Sequence, residues 1–108
     1  MSTIFKQIID KKIKTNLIYE DKLCIAFNDI NPIAPVHILV VPKKEIPTIN
    51  DLTEDDKDLV SHLIFTAKNI AKEKNIEESG YRLFFNCNED GGQTIYHIHL
   101  HLVGGRKL

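Results

Sequence analysis

The sequence predicts an α+β fold, a mainly antiparallel five-stranded sheet with one long and one short helix, and three observations predict it. Between Leu59 and Ala71 apolar residues recur at three- and four-residue steps, the period of an amphipathic helix. Short β-rich runs bounded by polar turns lie on either side of it. Near the C-terminus, His97, His99 and His101 alternate with Ile98, Leu100 and Leu102, and strict alternation marks a strand whose side chains point to opposite faces. Hairpins, further strands and one long helix together give an α+β sheet.

The elements follow in order. Ser2 or Thr3 caps a short helix over Ile4 to Ile9, with Ile4, Phe5, Ile8 and Ile9 at helical spacing. Asn16 to Tyr19 and Leu23 to Asn28 flank Glu20-Asp21-Lys22, which gives a hairpin with a tight polar turn. The connector from Asp29 to Pro35 holds Pro32 and Pro35, which lack a backbone donor and push their predecessors toward extended conformations, so it is ordered and non-helical. His37 to Val41 is a β-branched strand stopped by Pro42. Thr53-Glu54-Asp55-Asp56 opens the long helix, with Thr53 as N-cap and acidic residues complementing the helix dipole. Leu59, Val60, Leu63, Ile64, Ala67, Ile70 and Ala71 form its apolar stripe to about Lys74. His62 on that helix has no partner motif and reads as a partly exposed residue. After Gly80, Tyr81 to Asn86 is a strand, and Asn88 to Gly92 is a turn-rich loop leading into the histidine strand.

Composition narrows the function. The 108 residues, 43% hydrophobic and 27% charged, read as one soluble globular domain over 1–108 that buries roughly two thirds of its unfolded surface. With 14 basic against 15 acidic residues the net charge is −1, so no global field recruits nucleic acid or an anionic membrane, and any phosphate specificity is local. Cys24 and Cys87 make no CxxC and no disulfide framework, so free thiols in a reducing, cytoplasmic compartment are expected. No signal-peptide core and no membrane-spanning stretch is present in the sequence.

The alternation places His97, His99 and His101 on one face and the aliphatics on the other, so the histidines are expected to line a site and not an interior. Two chemistries fit. Histidines two apart on a strand stand about 6.5 to 7 Å apart at Cα, and ring tilt can bring their nitrogens onto one zinc ion, with His37 or Asp29 contributing from elsewhere. Alternatively, one neutral imidazole attacks phosphorus and forms a labile phosphoramidate. That reading needs anion-stabilising neighbours, and the flanks supply them: Gly91 and Gly92 allow close backbone approach, while Gln93, Thr94 and Asn86 offer neutral donors. Spacing alone leaves both open.

These residues resemble the histidine-triad (HIT) family, whose motif is His-x-His-x-His followed by two apolar residues. The resemblance extends to Phe27 through His37, to Val40-Val41-Pro42-Lys43 and to the helix of Ser2 to Ile9, so nearly the whole chain is covered. Gly91-Gly92-Gln93-Thr94 before the triad and Gly104-Gly105-Arg106 after it resemble the Hint branch of nucleoside phosphoramidases. The dinucleoside polyphosphate hydrolases of the family usually lack that trailing Gly-Gly, and the uridylyltransferase branch has glutamine where this chain has His101.

The resemblance implies a HIT-like fold and, residue by residue, a site. His99 is the nucleophile toward the α-phosphorus, His97 and His101 position the phosphoryl group, and His37 extends their hydrogen-bond network. Asn86, Gln93 and Thr94, with Gly92 beside them, meet the phosphate or leaving group, and Asp29 accepts the ribose hydroxyls. Phe5, Phe27, Ile30, Ile8 and Leu39, with Ile4, form the slot for the purine, and for Ile4, Ile8 and Leu39 ordinary core is an equal reading. The implied substrate is a conjugate of AMP or GMP, with no cofactor and no metal, and the implied assembly is a homodimer that engages neither nucleic acid nor membrane. Two substitutions keep hydrogen-bonding capacity: Asn28 where many Hint-branch members have histidine, and Thr94 where many have serine. The sequence stops at Leu108, whereas longer relatives carry a tail toward the partner's site, which bears on leaving-group preference.

Overall fold

The computed structural model describes residues 3–108. Five strands, β1 (Tyr19–Glu20), β2 (Cys24–Asn28), β3 (Val36–Pro42), β4 (Tyr81–Phe84) and β5 (Leu100–Gly104), form one sheet in the order β1-β2-β3-β5-β4. All four pairings are antiparallel, as the sequence predicts. A short helix α1 (Ile4–Ile9) and a long helix α2 (Lys57–Glu73) complete the fold.

Side-chain alternation divides the sheet into two covered faces. Cys24 and Ala26 of β2, Ile38 and Val40 of β3, and Leu100 and Leu102 of β5 meet Leu63, Ala67, Ile70 and Ala71 of α2. Ile25 and Phe27, with Leu39 and Val41, meet Phe5 and Ile8 of α1 on the other face. This second face carries the histidines, because His101 pairs with Leu39 in the β3–β5 register.

Double coverage changes one expectation. His97, His99 and His101 are 2%, 8% and 8% exposed, buried like the aliphatics between them, so the alternation separates two buried layers and not a core from solvent. The strand is also shorter than predicted. Only Leu100–Gly104 joins the sheet, while the segment holding His97 and His99 is anchored by the Ile98 N–H donating to the Ile46 carbonyl at 2.8 Å.

Other boundaries shift for local reasons. β1 is two residues long and moves toward the turn, where Asp21 Oδ1 accepts the N–H groups of Leu23 and Cys24 and fixes the hairpin. β3 gains one residue at each end, and β4 ends at Phe84 rather than Asn86. Thr3 caps α1 by accepting the Lys6 N–H, whereas Ser2 lies outside the described residues. Thr53 and Asp56 form a reciprocal capping box around a 3-10 turn, Glu54–Asp56, which runs directly into α2. Within the α2 stripe, Ile64 is exposed and Thr66 takes a buried place beside Cys24. Among the described residues no helix is long and apolar enough to cross a membrane.

Candidate active site

His37 on β3 and His101 on β5 share the face of Leu39, and their rings meet with Nε2 of His37 2.9 Å from Nδ1 of His101. The proton positions along this pair follow from fixed partners. The Ile33 N–H donates to Nδ1 of His37 at 3.1 Å, so that nitrogen carries a lone pair and Nε2 carries the proton. His37 therefore donates to Nδ1 of His101, with Oδ2 of Asp29 also 3.4 Å from Nε2 of His37. That leaves the His101 proton on Nε2, an atom that is buried and has no hydrogen-bond partner among the described residues. It is a donor without an acceptor.

The same logic orients the other two rings. Nε2 of His97 lies 2.7 Å from the Pro42 carbonyl and Nδ1 of His99 lies 2.8 Å from the His97 carbonyl. A carbonyl only accepts, so both nitrogens carry protons and Nε2 of His99 is left with its lone pair. Burial lowers the pKa of all three, that of His101 to about 4 with help from the neighbouring His99 and His37. At neutral pH the rings are uncharged, with a nucleophilic nitrogen on His99 and a hydrogen-bond donor on His101, their ring centres 4.9 Å apart.

Aromatic contacts hold these rings in place. The edge-to-face contact of Phe5 with His99 has centroids 4.9 Å apart, and Phe5 packs in the same way on Phe27. Phe84 stacks on His101 with centroids 4.4 Å apart and planes 7° from parallel. Phe84 has no counterpart in the sequence reading. Only the pairing of Phe84 with His101 across β4–β5 reveals it, and that register joins distant segments.

The predicted purine slot is brought together in part. Phe5, Ile8, Phe27 and Leu39 form one buried cluster, whereas Ile30 is 87% exposed and Ile4 is exposed on α1. Asp29 follows β2 directly; its Oδ1 accepts the Asn31 N–H at 2.8 Å, and its Oδ2 faces His37. Asn86 and Gly92 lie close together, with Asn86 Nδ2 3.9 Å from where a Cβ on residue 92 would stand.

Gln93 has a different task from the one expected. Its amide donates to the carbonyls of Pro47 at 2.7 Å and Ile95 at 3.1 Å, and its Oε1 accepts the Asn88 N–H at 2.9 Å. All its polar atoms are engaged in latching the loop, so a contact with phosphate requires one of these bonds to open. Thr94, next to it, is exposed. Gly91 is packed so tightly that a Cβ would lie 2.4 Å from the Cys87 carbonyl oxygen, and Gly92 has φ +83°, a conformation that favours glycine.

As to metal, the donor atoms that converge in this region belong to Asp29, His37 and His101, all within 4.8 Å of one another. The three triad histidines do not form such a group among the described residues, because His97 and His99 direct a nitrogen each to carbonyls. His62 is a partly exposed residue of α2, as expected, and its Nε2 meets Oδ2 of Asp21 at 2.6 Å.

Comparison with known proteins agrees with this geometry. Residues 2–107 match the family described as Scavenger mRNA decapping enzyme C-term binding. The chain is 47% identical over 106 residues to the purine nucleoside phosphoramidase of Escherichia coli K12, covering 98% of this chain and 89% of that protein. It is 50% identical over 107 residues to a HIT-like protein of Buchnera aphidicola from Acyrthosiphon pisum, covering 99% and 94%. Among solved structures, a HIT family hydrolase from Legionella pneumophila superposes with a TM-score of 0.96 at 47% identity, covering 98% of this chain and 95% of that one. A histidine triad protein from Clostridium difficile gives a TM-score of 0.96 at 44% identity, covering 100% and 94%. With the triad, the sheet and the full-length similarity in agreement, the chain belongs to the histidine-triad family.

Proposed function

We propose that this protein is a purine nucleoside phosphoramidase of the Hint branch, cleaving the P–N bond of AMP or GMP conjugates by double displacement at His99. The observation that carries the reading is the fixed set of proton positions: Nδ1 of His99 is tied to the His97 carbonyl, so Nε2 presents a lone pair, while Nε2–H of His101 is a buried donor without an acceptor. Similarity to the E. coli purine nucleoside phosphoramidase supports the same substrate class.

In the first step, Nε2 of His99 forms a bond to the α-phosphorus as the P–N bond breaks, and the amine leaves with a proton. Thr94, exposed on the loop beside Gln93, is the candidate to pass that proton. His101 Nε2–H donates to the phosphoryl oxygen as charge builds there. In the second step, water attacks the phosphorus of the nucleotidyl-histidine and gives up a proton that restores Thr94, the P–N bond to His99 breaks, and a nucleoside monophosphate is released. Asp29 takes the ribose hydroxyls, and the cluster of Phe5, Ile8, Phe27 and Leu39 packs against the purine, while Ile30 and Ile4 are exposed. This route uses no metal and no cofactor.

A cytoplasmic homodimer is part of the proposal. Free Cys24 and Cys87 suit a reducing compartment. β4 is an edge strand with one side unpaired, and Phe65 and Ile64 of α2 are 59% and 42% exposed, which suits a self-complementary contact.

The test is AMP release from an adenosine phosphoramidate by chelator-treated protein, with His99→Ala and a diadenosine polyphosphate in parallel. Turnover by the wild type and a loss of at least about a thousandfold in His99→Ala, with AMP still bound, is expected. Full turnover in His99→Ala, or turnover of the polyphosphate alone, overturns the proposal.

A further inference from the structure

On the α2 side of the sheet, away from the triad, Asp21, Cys24 and His62 bring a carboxylate oxygen, a thiol sulfur and an imidazole nitrogen within 4.8 Å of one another. Asp21 lies in the turn between β1 and β2, Cys24 opens β2, and His62 lies in the second turn of α2. Each donor is oriented by a neighbour. Oδ1 of Asp21 accepts the Leu23 and Cys24 N–H groups at 2.7 and 2.8 Å, which turns Oδ2 toward Nε2 of His62 at 2.6 Å. The Tyr19 hydroxyl donates to the same Oδ2 at 2.8 Å, and Sγ of Cys24 lies 3.8 Å from Oγ1 of Thr66. Supporting bonds of this kind fix the orientation of metal ligands.

We propose that Asp21, Cys24 and His62 form a second binding site, for one divalent transition-metal ion with zinc the best fit, coordinated through Oδ2, Sγ and Nε2 and by solvent in the fourth position. A mixed O, N and S donor set is zinc chemistry, and a sulfur ligand disfavours magnesium and calcium. The site is built like a cup. Cys24 is fully buried at the bottom, while the side chains of Asp21 and His62 keep 24% and 33% exposure and leave an entry path. Metal bonds of about 2.0 Å to N and O and about 2.3 Å to S put tetrahedral ligand atoms roughly 3.3 to 3.5 Å apart. The Asp21–His62 pair, now at 2.6 Å, therefore widens by less than about an ångström.

On binding, the Sγ–H bond of Cys24 breaks, its proton passes to solvent and the sulfur–metal bond forms. The Asp21–His62 hydrogen bond is exchanged for two metal bonds: the proton on Nε2 of His62 leaves to solvent while Nδ1 carries the ring proton, so the imidazole coordinates in its neutral form. The ion then fastens the β1–β2 hairpin to α2 across 41 residues of sequence. Because it sits on the opposite face of the sheet from His99, its effect is on stability and not on the chemistry at phosphorus.

The full-length protein, stripped with chelator, is titrated with cobalt(II) and then with zinc. Thiolate-to-cobalt charge transfer in the near ultraviolet reports a Cys–metal bond, and a Cys87→Ser background removes the other cysteine. One cobalt per chain with that band, displaced by zinc, is expected in the wild type and in Cys87→Ser. His62→Ala alters a half-exposed helix residue outside the catalytic machinery, so it keeps phosphoramidate turnover while weakening cobalt by roughly tenfold or more. Zinc raises the Tm of the wild type and not of His62→Ala. Absence of the charge-transfer band in the wild type, a band unchanged by His62→Ala, or cobalt bound without a thiolate signal overturns the proposal and leaves Asp21–His62 a hydrogen bond between hairpin and helix.

Discussion

His101 shows how much of this site depends on which ring nitrogen carries a proton. Its Nδ1 is fixed as acceptor by His37, itself fixed by the Ile33 N–H, so the His101 donor is determined two residues away from the ring. Phe84 sets the plane of that donor by stacking on the imidazole at 4.4 Å. A stacked aromatic pair contributes about 0.5–1.5 kcal/mol beyond its buried area. Phe84→Leu is therefore expected to lower kcat about threefold to tenfold with little change in KM, because the donor is misaimed while the nucleotide is still held. Phe84→Tyr keeps the stack and restores most of the rate. A rate loss that Tyr fails to restore, or one that falls on KM alone, means that Phe84 only fills space. The shared face of the triad is legible in the sequence because its alternation is local, whereas His37, Phe5 and Asp29 are legible only through the resemblance to the family. Phe84 and the Asp21–His62 contact are legible in neither way, since each depends on a tertiary register between distant segments.

Among the elements, the loop from Asn86 to Ile95 has the tightest tolerances. Gln93 latches it to the Pro47 carbonyl, and Gly91 lies directly against the backbone of Cys87. A methyl group at 91 meets Cys87 oxygen at 2.4 Å and Cys87 nitrogen at 2.9 Å, and neither is a side-chain end that can swing aside. Gly91→Ala is expected to destabilise the fold by about 1–3 kcal/mol and to reduce turnover more than AMP affinity, because the loop must shift under the phosphate. Urea midpoints and single-turnover rates at a temperature where the variant is folded separate the two effects; a variant with wild-type midpoint and rate contradicts this close packing. β-rich runs, the histidine alternation and helical periodicity located the five strands and both helices, but their ends moved where a cap or a partner strand decided them. Asp21 shortened the first hairpin strand, and the Thr53–Asp56 box placed a 3-10 turn before α2. Alternation predicts one long strand for the histidine segment because it does not distinguish a strand in a ladder from an extended run anchored through the Ile98 N–H and the His97 ring.

For the molecule as a whole, the consequence of two covered faces is that imidazoles occupy a buried layer, and this couples catalysis to stability. The sequence gives no sign of it, because burial of the histidine face depends on α1 and on the loops folding over it. His97, His99 and His101 have native pKa values below the ordinary 6.5, with burial the leading cause, and His101 falls to about 4. In the unfolded chain each titrates near 6.5. Between the two values the unfolded state binds more protons than the native state, so stability rises with pH across that interval. As pH falls from about 6.5 toward 4, the native protein is expected to lose stability, with the largest contribution from His101. The lowered pKa of Asp21, with its bonds to Tyr19, the hairpin backbone and His62, acts in a separate and lower window, since its stabilisation is lost only below the ordinary aspartate value of 3.8. Urea midpoints measured from pH 8 to 4.5 should be flat down to about 6.5 and then decline, and His101→Gln should make the decline shallower because it removes one titrating ring. A profile equally steep in the variant would mean that His101 is protonated in the native state, and the uncharged relay from Ile33 through His37 to His101 would have to be abandoned.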